Sequence, residues 1–332
     1  MGNTSLQSLF FEKIKEMLPA STTLVNELED ILGLSIDSAY RRIRGETILD
    51  INEIATLCGH YKISFDSLQE NNSGTVTFKY NYLKNDEFSF KEYINNVYRD
   101  LKKINQIKDS QIIFAAEDIP IFHHFQFAEL ASFKMFYWMK SVMNVQRFEN
   151  EKFSIDLIDD ETREVGEKIY DLYCQTNSVE IWTELTIFSI LKQIEFYWES
   201  GNFKSQEDAL LICNQLQQEL ACIQKQAELS TKITNENTRN NFENNFKLYL
   251  SDIELGNNCI LVNMGSVKFV YLVHYTFNTL ITSNNTFAEE TDEWLNTLIK
   301  KSSLISGVSE KQRFQFFKKC NSELDKLIAK IS

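Results

Sequence analysis

Apolar residues over positions 1–70 recur three and four apart in short bursts, the spacing that gathers them on one face of a helix. Leu9, Phe10, Ile14 and Leu18 form the first burst, which Pro19 closes, with Ser21 and Thr22 ready to cap a second helix. Leu24, Leu28, Ile31 and Leu32 form the second burst; it stops at Gly33, and Ser35 can cap a third helix beginning near Ile36. Gly45 closes the third. Asp50 can cap a fourth, with Ile51, Ile54, Ala55 and Cys58 facing inward, and Ser64 can cap a last turn through Phe65 and Leu68. The pattern predicts a small five-helix domain over residues 1–70, joined to the rest of the chain by a polar linker at Asn71-Asn72-Ser73-Gly74, residues that favour turns and bury nothing.

Beyond the linker the periods lengthen. Residues 75–80 alternate β-branched and aromatic side chains and predict a strand, 88–107 an amphipathic helix, and 111–115 another strand. Helical patterns come next at 125–145, 161–175, 180–199 and 206–230, then β-like runs at 246–251, 259–262 and 267–274. Turns at Gly256-Asn257-Asn258 and Met264-Gly265-Ser266 predict a small antiparallel sheet from these runs. Helices near 286–302 and 310–328 finish the chain. No change of composition divides 75–240 from 241–332, so 75–332 reads as one large helical α+β domain and the fold class is mainly α.

Composition agrees. Only 2 Pro and 10 Gly occur in 332 residues, which favours long helices over a loop-rich all-β fold, and 25 Phe with 13 Tyr promise a large aromatic core. The six cysteines are scattered without a Cys-x-x-Cys pair and read as reduced, buried, small hydrophobes. Met1-Gly2-Asn3-Thr4-Ser5 has no basic segment leading into an apolar one, so the expected compartment is the cytoplasm. The most apolar windows, 122–143 and 259–281, are interrupted by Glu129, Lys134 and Lys140 or by Asn263 and Lys268, and predict core rather than membrane spans.

Residues 28–45 read Leu-Glu-Asp-Ile-Leu-Gly-Leu-Ser-Ile-Asp-Ser-Ala-Tyr-Arg-Arg-Ile-Arg-Gly. Gly33 allows the positive φ at which two helices meet steeply, Leu28, Leu32 and Leu34 fill the angle, and Ile36, Ala39 and Ile43 are expected to seat the second helix on the core. That leaves Asp37, Ser38, Tyr40, Arg41 and Arg44 outward. The segment resembles the helix-turn-helix of the lambda-repressor-like family, and the resemblance continues through Gly45-Glu46-Thr47 and Ile63-Ser64-Phe65-Asp66-Ser67-Leu68. Glu29 and Arg42 depart from the small and apolar residues usual there.

The resemblance implies a sequence-specific transcriptional regulator, with double-stranded DNA as partner and a homodimer that spans two half-sites about one helical turn apart. Its DNA-contacting set would be Thr22, Thr23, Ser35, Asp37, Ser38, Tyr40, Arg41, Arg42, Arg44 and Thr47. Arg41 is expected to read a base, Arg42 and Arg44 to meet phosphates, and Thr22, Thr23 and Thr47 to donate to flanking phosphates. Because the net charge is −13, DNA binding has to come from this local basic patch. The same run, with Ala116-Glu117-Asp118-Ile119-Pro120-Ile121-Phe122-His123-His124-Phe125 after it, is similar to regulators found among Bacteroidetes bacteria, which implies no activity for the second domain.

Catalytic chemistry finds little footing. His123 and His124 are adjacent, so on a helix they point about 100° apart, and neither has a metal partner at i+3 or i+4. Asp156, Asp159, Asp160 and Glu161 suit a solvated loop and helix start. Glycine-rich phosphate loops and nucleophile elbows are missing from the sequence. No enzyme, cofactor or metal is expected. Phe133, Phe136, Tyr137 and Trp138 read first as core and second as the lining of a pocket for a small-molecule or peptide effector. The competing functional reading is a protein- or peptide-binding module, favoured if Glu29, Asp37 and Glu46 neutralise the arginines.

Overall fold

Helices α1 (Leu6–Met17), α2 (Leu24–Leu32), α3 (Ile36–Ile43) and α4 (Ile51–Tyr61) build the N-terminal unit. The computed structural model describes residues 5–18, 22–61, 63, 75–234, 243–265 and 267–332, so the expected turn at 64–68 and the linker at 71–74 lie outside the described residues. Helix starts are set by short polar side chains that take otherwise unpaired amides. Ser5, Thr23 and Ser35 accept from the N–H groups of Ser8, Asn26 and Ser38. The α2 cap thus falls on Thr23, after the expected Ser21 and Thr22. Asp50 Oδ1 accepts from Asn52 and Glu53 N–H, and Glu53 Oε2 accepts the Asp50 N–H in return.

The core of this unit is Phe10, Phe11, Ile14, Leu28, Ala39 and Leu57. Three inward assignments are corrected. On α4 the buried stripe is Leu57 and Tyr61 beside half-buried Ile54 and Cys58, while Ile51 and Ala55 are exposed. The Tyr61 hydroxyl donates to Glu27 on α2 at 2.6 Å, which fixes that rotation. On α3, Ala39 is buried and Ile43 half-buried, but Ile36 is 52% exposed, because the first turn projects beyond the small side chain that seats the helix.

Contacts divide the chain into Met1–Phe78 and Lys79–Ser332. The second unit is mainly helical, as expected, and the antiparallel pairing expected of 259–262 with 267–274 is part of one larger, mixed eight-stranded sheet among the described residues, with strand order β1-β7-β6-β5-β2-β3-β4-β8. Its strands are β1 (Lys79–Tyr80), β2 (Gln111–Ala116), β3 (Asn177–Trp182), β4 (Phe246–Leu250), β5 (Cys259–Met264), β6 (Val267–His274), β7 (Asn278–Thr282) and β8 (Ser303–Leu304). The β2–β3 and β3–β4 pairs are parallel and the rest antiparallel. Parallel neighbours need long crossovers; α6 (Ile121–His124), α7 (Ala128–Tyr137) and α8 (Asp160–Gln175) lead from β2 to β3, and α9 (Phe188–Glu199) and α10 (Gln206–Leu229) from β3 to β4.

The pleat of β2 explains the layering. Ile112 and Phe114 face the main core beneath the helices, whereas Ile113 and Ala115 face a second cluster with Leu295 and Leu298 of α11 (Asn285–Lys301). Helices α5 (Glu87–Asn105) and α12 (Glu310–Ile331) complete the larger layer, where α5 packs on α8 and α12 on α10. Phe133 sits between Phe153, Tyr197 and Phe203 with ring centroids 5.3–5.4 Å away. At its end α7 widens into a π-helical turn, Trp138–Val142, a device found often at functional sites. All six cysteines are free thiols, four of them buried. Among the described residues no helix is long and apolar enough to cross a membrane.

One strand replaces part of an expected helix. Residues 177–182 form β3, and Glu180, a helix position by its sequence pattern, is fully buried on it. Its carboxylate accepts from His123 Nε2 at 2.8 Å, from Trp182 Nε1 at 2.8 Å and from the Tyr173 hydroxyl. Burial alone would push this carboxyl up, but His123 and Tyr173 hold it below its ordinary value. Nearby Lys232 is also fully buried, donating to the carbonyls of Tyr173 and Thr176 at the end of α8.

Burial pushes the Lys232 ammonium from an ordinary 10.5 down to about 7. Between those values the unfolded chain holds a proton that the native chain lacks, so stability rises with pH through this window. Above pH 7 the slope due to Lys232 alone approaches about 1.4 kcal/mol per pH unit, and toward pH 8.5 it is opposed by the cysteines, whose thiols burial pushes up in the native chain so that they ionise first in the unfolded one. Urea unfolding from pH 7 to about 8.5 is expected to give a slope more positive by up to about 1.4 kcal/mol per pH unit in the wild-type chain than in Lys232→Met, the thiol contribution being common to both. Equal slopes would contradict the assignment.

Candidate functional site

The turn between α2 and α3 is the first feature of the site. Gly33 has φ +65°, the left-handed region in which a Cβ is strained, and Ser35 opens α3 at once. Asp37, Tyr40, Arg41 and Arg44 then recur at helical spacing, and all four are exposed. Ser38 is half-buried and takes part in the cap, 3.0 Å from Ser35 Oγ. Thr23 is exposed at the start of α2 and Thr22 is half-buried beside it. Helix starts of this kind suit phosphate oxygens.

The guanidinium of Arg42 turns the other way. It makes a bidentate pair with Glu53 at 3.1 and 2.6 Å and donates to the Ser38 carbonyl, with both partners' side chains less than one fifth exposed. Its sequence-based role as a phosphate contact therefore gives way to one inside the fold, joining α3 to the start of α4. Arg42→Ala is expected to destabilise the N-terminal unit by about 1.5–3 kcal/mol, the range for hydrogen bonds to charged groups. Hydrogen exchange of the α3 and α4 amides measures this, and protection equal to wild type would refute the role.

Gln7 is a residue that the sequence pattern does not single out. From α1 its side-chain amide donates to the carbonyls of Arg42 and Thr47 at 2.7 and 2.9 Å, and its oxygen accepts the Leu49 N–H at 2.9 Å. One side chain thereby fixes the path from the end of α3 to the start of α4. No local pattern could announce it, since its partners are 35–42 residues away. Thr47, half-buried, lies on this clamped loop.

Both exposed arginines have carboxylate partners. Arg41 lies 3.2 Å from Asp37 one helical turn back, and Arg44 pairs bidentately with Glu46 at 2.8 and 3.1 Å. The Arg44 hydrogen bond holds the Glu46 carboxyl below its ordinary value, so it stays ionised. With Arg42 on Glu53, each of the three guanidiniums is matched by one negative charge. Beside these pairs stand exposed Ile36, Tyr40, Ile48 and Ile51. The surface is an amphipathic helix face with near-balanced charge rather than the plain basic patch expected.

The other residues singled out by sequence pair or pack within the second unit. His124 Nδ1 lies 2.7 Å from Glu219 on α10 while His123 meets Glu180 on β3, so the adjacent rings diverge to separate carboxylates. No group of three or more metal-ligating side chains comes together among the described residues. Asp159 caps α8 by accepting from Thr162 N–H, and Lys91 bridges to it at 3.2 Å. Phe133 and Phe136 are core; of the four stripe residues, Trp138 lines a cavity.

Residues 6–82 match the family model of the BetR domain, a helix-turn-helix family of DNA-binding domains in regulators. No curated protein and no solved structure matches the chain at a significant level.

Proposed function

We propose that the chain is a sequence-specific DNA-binding transcriptional regulator of the lambda-repressor-like kind, acting in the cytoplasm without catalysis of its own. The observation that carries this reading is the capped α3 set beyond a left-handed Gly33, with Asp37, Tyr40, Arg41 and Arg44 on its outer face. A helix presented this way enters a major groove with its first turns toward the base edges. In that pose Arg41 reads guanine, Arg44 meets a phosphate, and Ile36 is available to a thymine methyl. The ion pairs of Arg41 and Arg44 are exposed, and exposed pairs contribute little, so a phosphate or a guanine edge can displace the carboxylates.

An eight-residue helix reads only a few base pairs, which supports binding as a homodimer on paired half-sites. The second unit would supply self-association, effector sensing or both. A second reading, in which the N-terminal unit docks a protein partner, is favoured by the balanced charge and by exposed Ile36, Tyr40, Ile48 and Ile51. Selection of pooled genomic fragments by the purified chain separates the two. Enrichment of a palindromic sequence is expected; recovery of fragments without sequence preference at low salt would favour the protein-docking reading.

A further inference from the structure

Between α5 and the sheet face formed by β2, β5, β6 and β7, the second unit encloses a cavity of about 130 Å³. The volume is close to the roughly 150 Å³ that accepts one benzene ring in an engineered protein core. Apolar residues dominate its wall, six of them aromatic: Tyr93, Phe114, Phe122, Trp138, Tyr271 and Phe277. Half-buried Asn81, Asn96 and Asp100 and exposed Thr276 mark the outer part of the lining, whereas Lys134, Ile112 and Ile119 are almost wholly buried. The cavity is therefore mostly apolar in depth, with a few buried polar groups, and polar toward solvent, the usual arrangement of a small-molecule site.

Two deep polar groups define the ligand it accepts. Trp138 is 3% exposed, stacks on Phe277 with centroids 4.6 Å apart, and its indole N–H finds no acceptor among the described residues. An orphaned buried donor is costly in a well-packed core. The Lys134 ammonium is 1% exposed and lies 5.8 Å from the Trp138 ring. It donates to Gln193 at 3.0 Å and, weakly, to Asp118 at 3.4 Å, which leaves one of its three protons for a ligand. Asp118 also accepts from Asn258 at 2.7 Å.

At the buried end the charges of Lys134 and Asp118 balance, and the other carboxylate of the lining, Asp100, stands half-buried toward its outer part. A ligand carboxylate would add an uncompensated buried charge, and a ligand ammonium would place a second cation beside Lys134. We infer that the cavity binds a compact neutral molecule, with an apolar body about one ring in size and an oxygen acceptor that takes hydrogen bonds from Trp138 Nε1 and Lys134 Nζ. This deepens the effector-sensing reading of the second unit and depends on it only for biological meaning. Binding to the cavity is measured without DNA, so either reading can fail alone.

The test uses four one-ring probes on the full chain: acetophenone, benzoate, benzylamine and toluene. Titration calorimetry and the Trp138 indole ¹H–¹⁵N resonance are the readouts. Acetophenone is expected to bind at least tenfold tighter than either charged probe and to shift the Trp138 indole signal. Trp138→Phe should weaken acetophenone about tenfold while leaving toluene nearly unchanged, and Val97→Phe, which fills the cavity from α5, should abolish binding of both. No binding by acetophenone, benzoate or benzylamine equalling it, or an unmoved Trp138 signal would overturn the assignment without recourse to any variant.

Discussion

Glu180→Leu is expected to destabilise the second unit by about 3–5 kcal/mol, the range for removing one partner of a buried charged pair. Three donors converge on this one carboxylate: His123 Nε2, Trp182 Nε1 and the Tyr173 hydroxyl. Leucine at that position on a strand buried on both faces leaves His123 and Trp182 without this acceptor and Tyr173 with only the Ser178 hydroxyl at 3.3 Å, in a place too deeply buried for solvent to compensate. Against a typical total of about 5–15 kcal/mol the loss is large. Glu180→Gln, which keeps one acceptor oxygen, should recover part of it. Because the native carboxyl titrates below its ordinary value, its contribution is complete above the unfolded value and is lost as pH falls through the native one. Chemical denaturation monitored by far-UV circular dichroism measures both variants; Glu180→Leu within about 1 kcal/mol of wild type would show that the cluster is not held by this carboxylate.

Neutralising the carboxylates paired with the two exposed arginines should have the opposite sense to removing the arginines. Asp37→Asn with Glu46→Gln frees Arg41 and Arg44 from their partners and takes two negative charges from the outer surface of α3 and the loop after it. Binding to a non-specific duplex at low salt is expected to strengthen about tenfold, with a steeper dependence on salt, since each added phosphate neutralisation contributes about −0.9 to the log–log slope. If Asp37 instead accepts from a cytosine amine, the same double variant will gain non-specific affinity while losing preference for its selected sequence. Affinity unchanged on both kinds of duplex would argue that this helix face does not meet DNA at all.

The sequence carries the local features of the N-terminal unit well, because each rests on a short segment. Gly33 requires a left-handed turn, Ser35 caps the next helix, and small Ala39 is the buried side chain that seats α3, all within a few residues of one another. Features that depend on partners far along the chain are hidden from it. Arg42 looks like its neighbours Arg41 and Arg44 until Glu53 is seen to claim it, and Gln7 carries no mark of its clamp. In the second unit, Val179, Ile181 and Trp182 run into Ile187 and Ile190 with a spacing that suits a helix as well as a strand. A central strand covered on both faces shows no alternation, so in the sequence β3 merges with the helix after it, and the burial of Glu180 has no local signature. The cavity is legible only as an ambiguous aromatic stripe, of which Trp138 alone joins the lining while the rest packs away.

The central claim is that α3 binds DNA through Arg41 and Arg44. Its most direct test is fluorescence anisotropy of the purified chain on one selected duplex across a salt series, wild type beside Arg41→Ala, Arg44→Ala. The account predicts a linear fall of log affinity with log salt for wild type and a slope shallower by about two in the double variant, with affinity reduced at least about tenfold at low salt. Identical slopes and affinities for the two proteins, or wild-type binding that ignores salt, would contradict it.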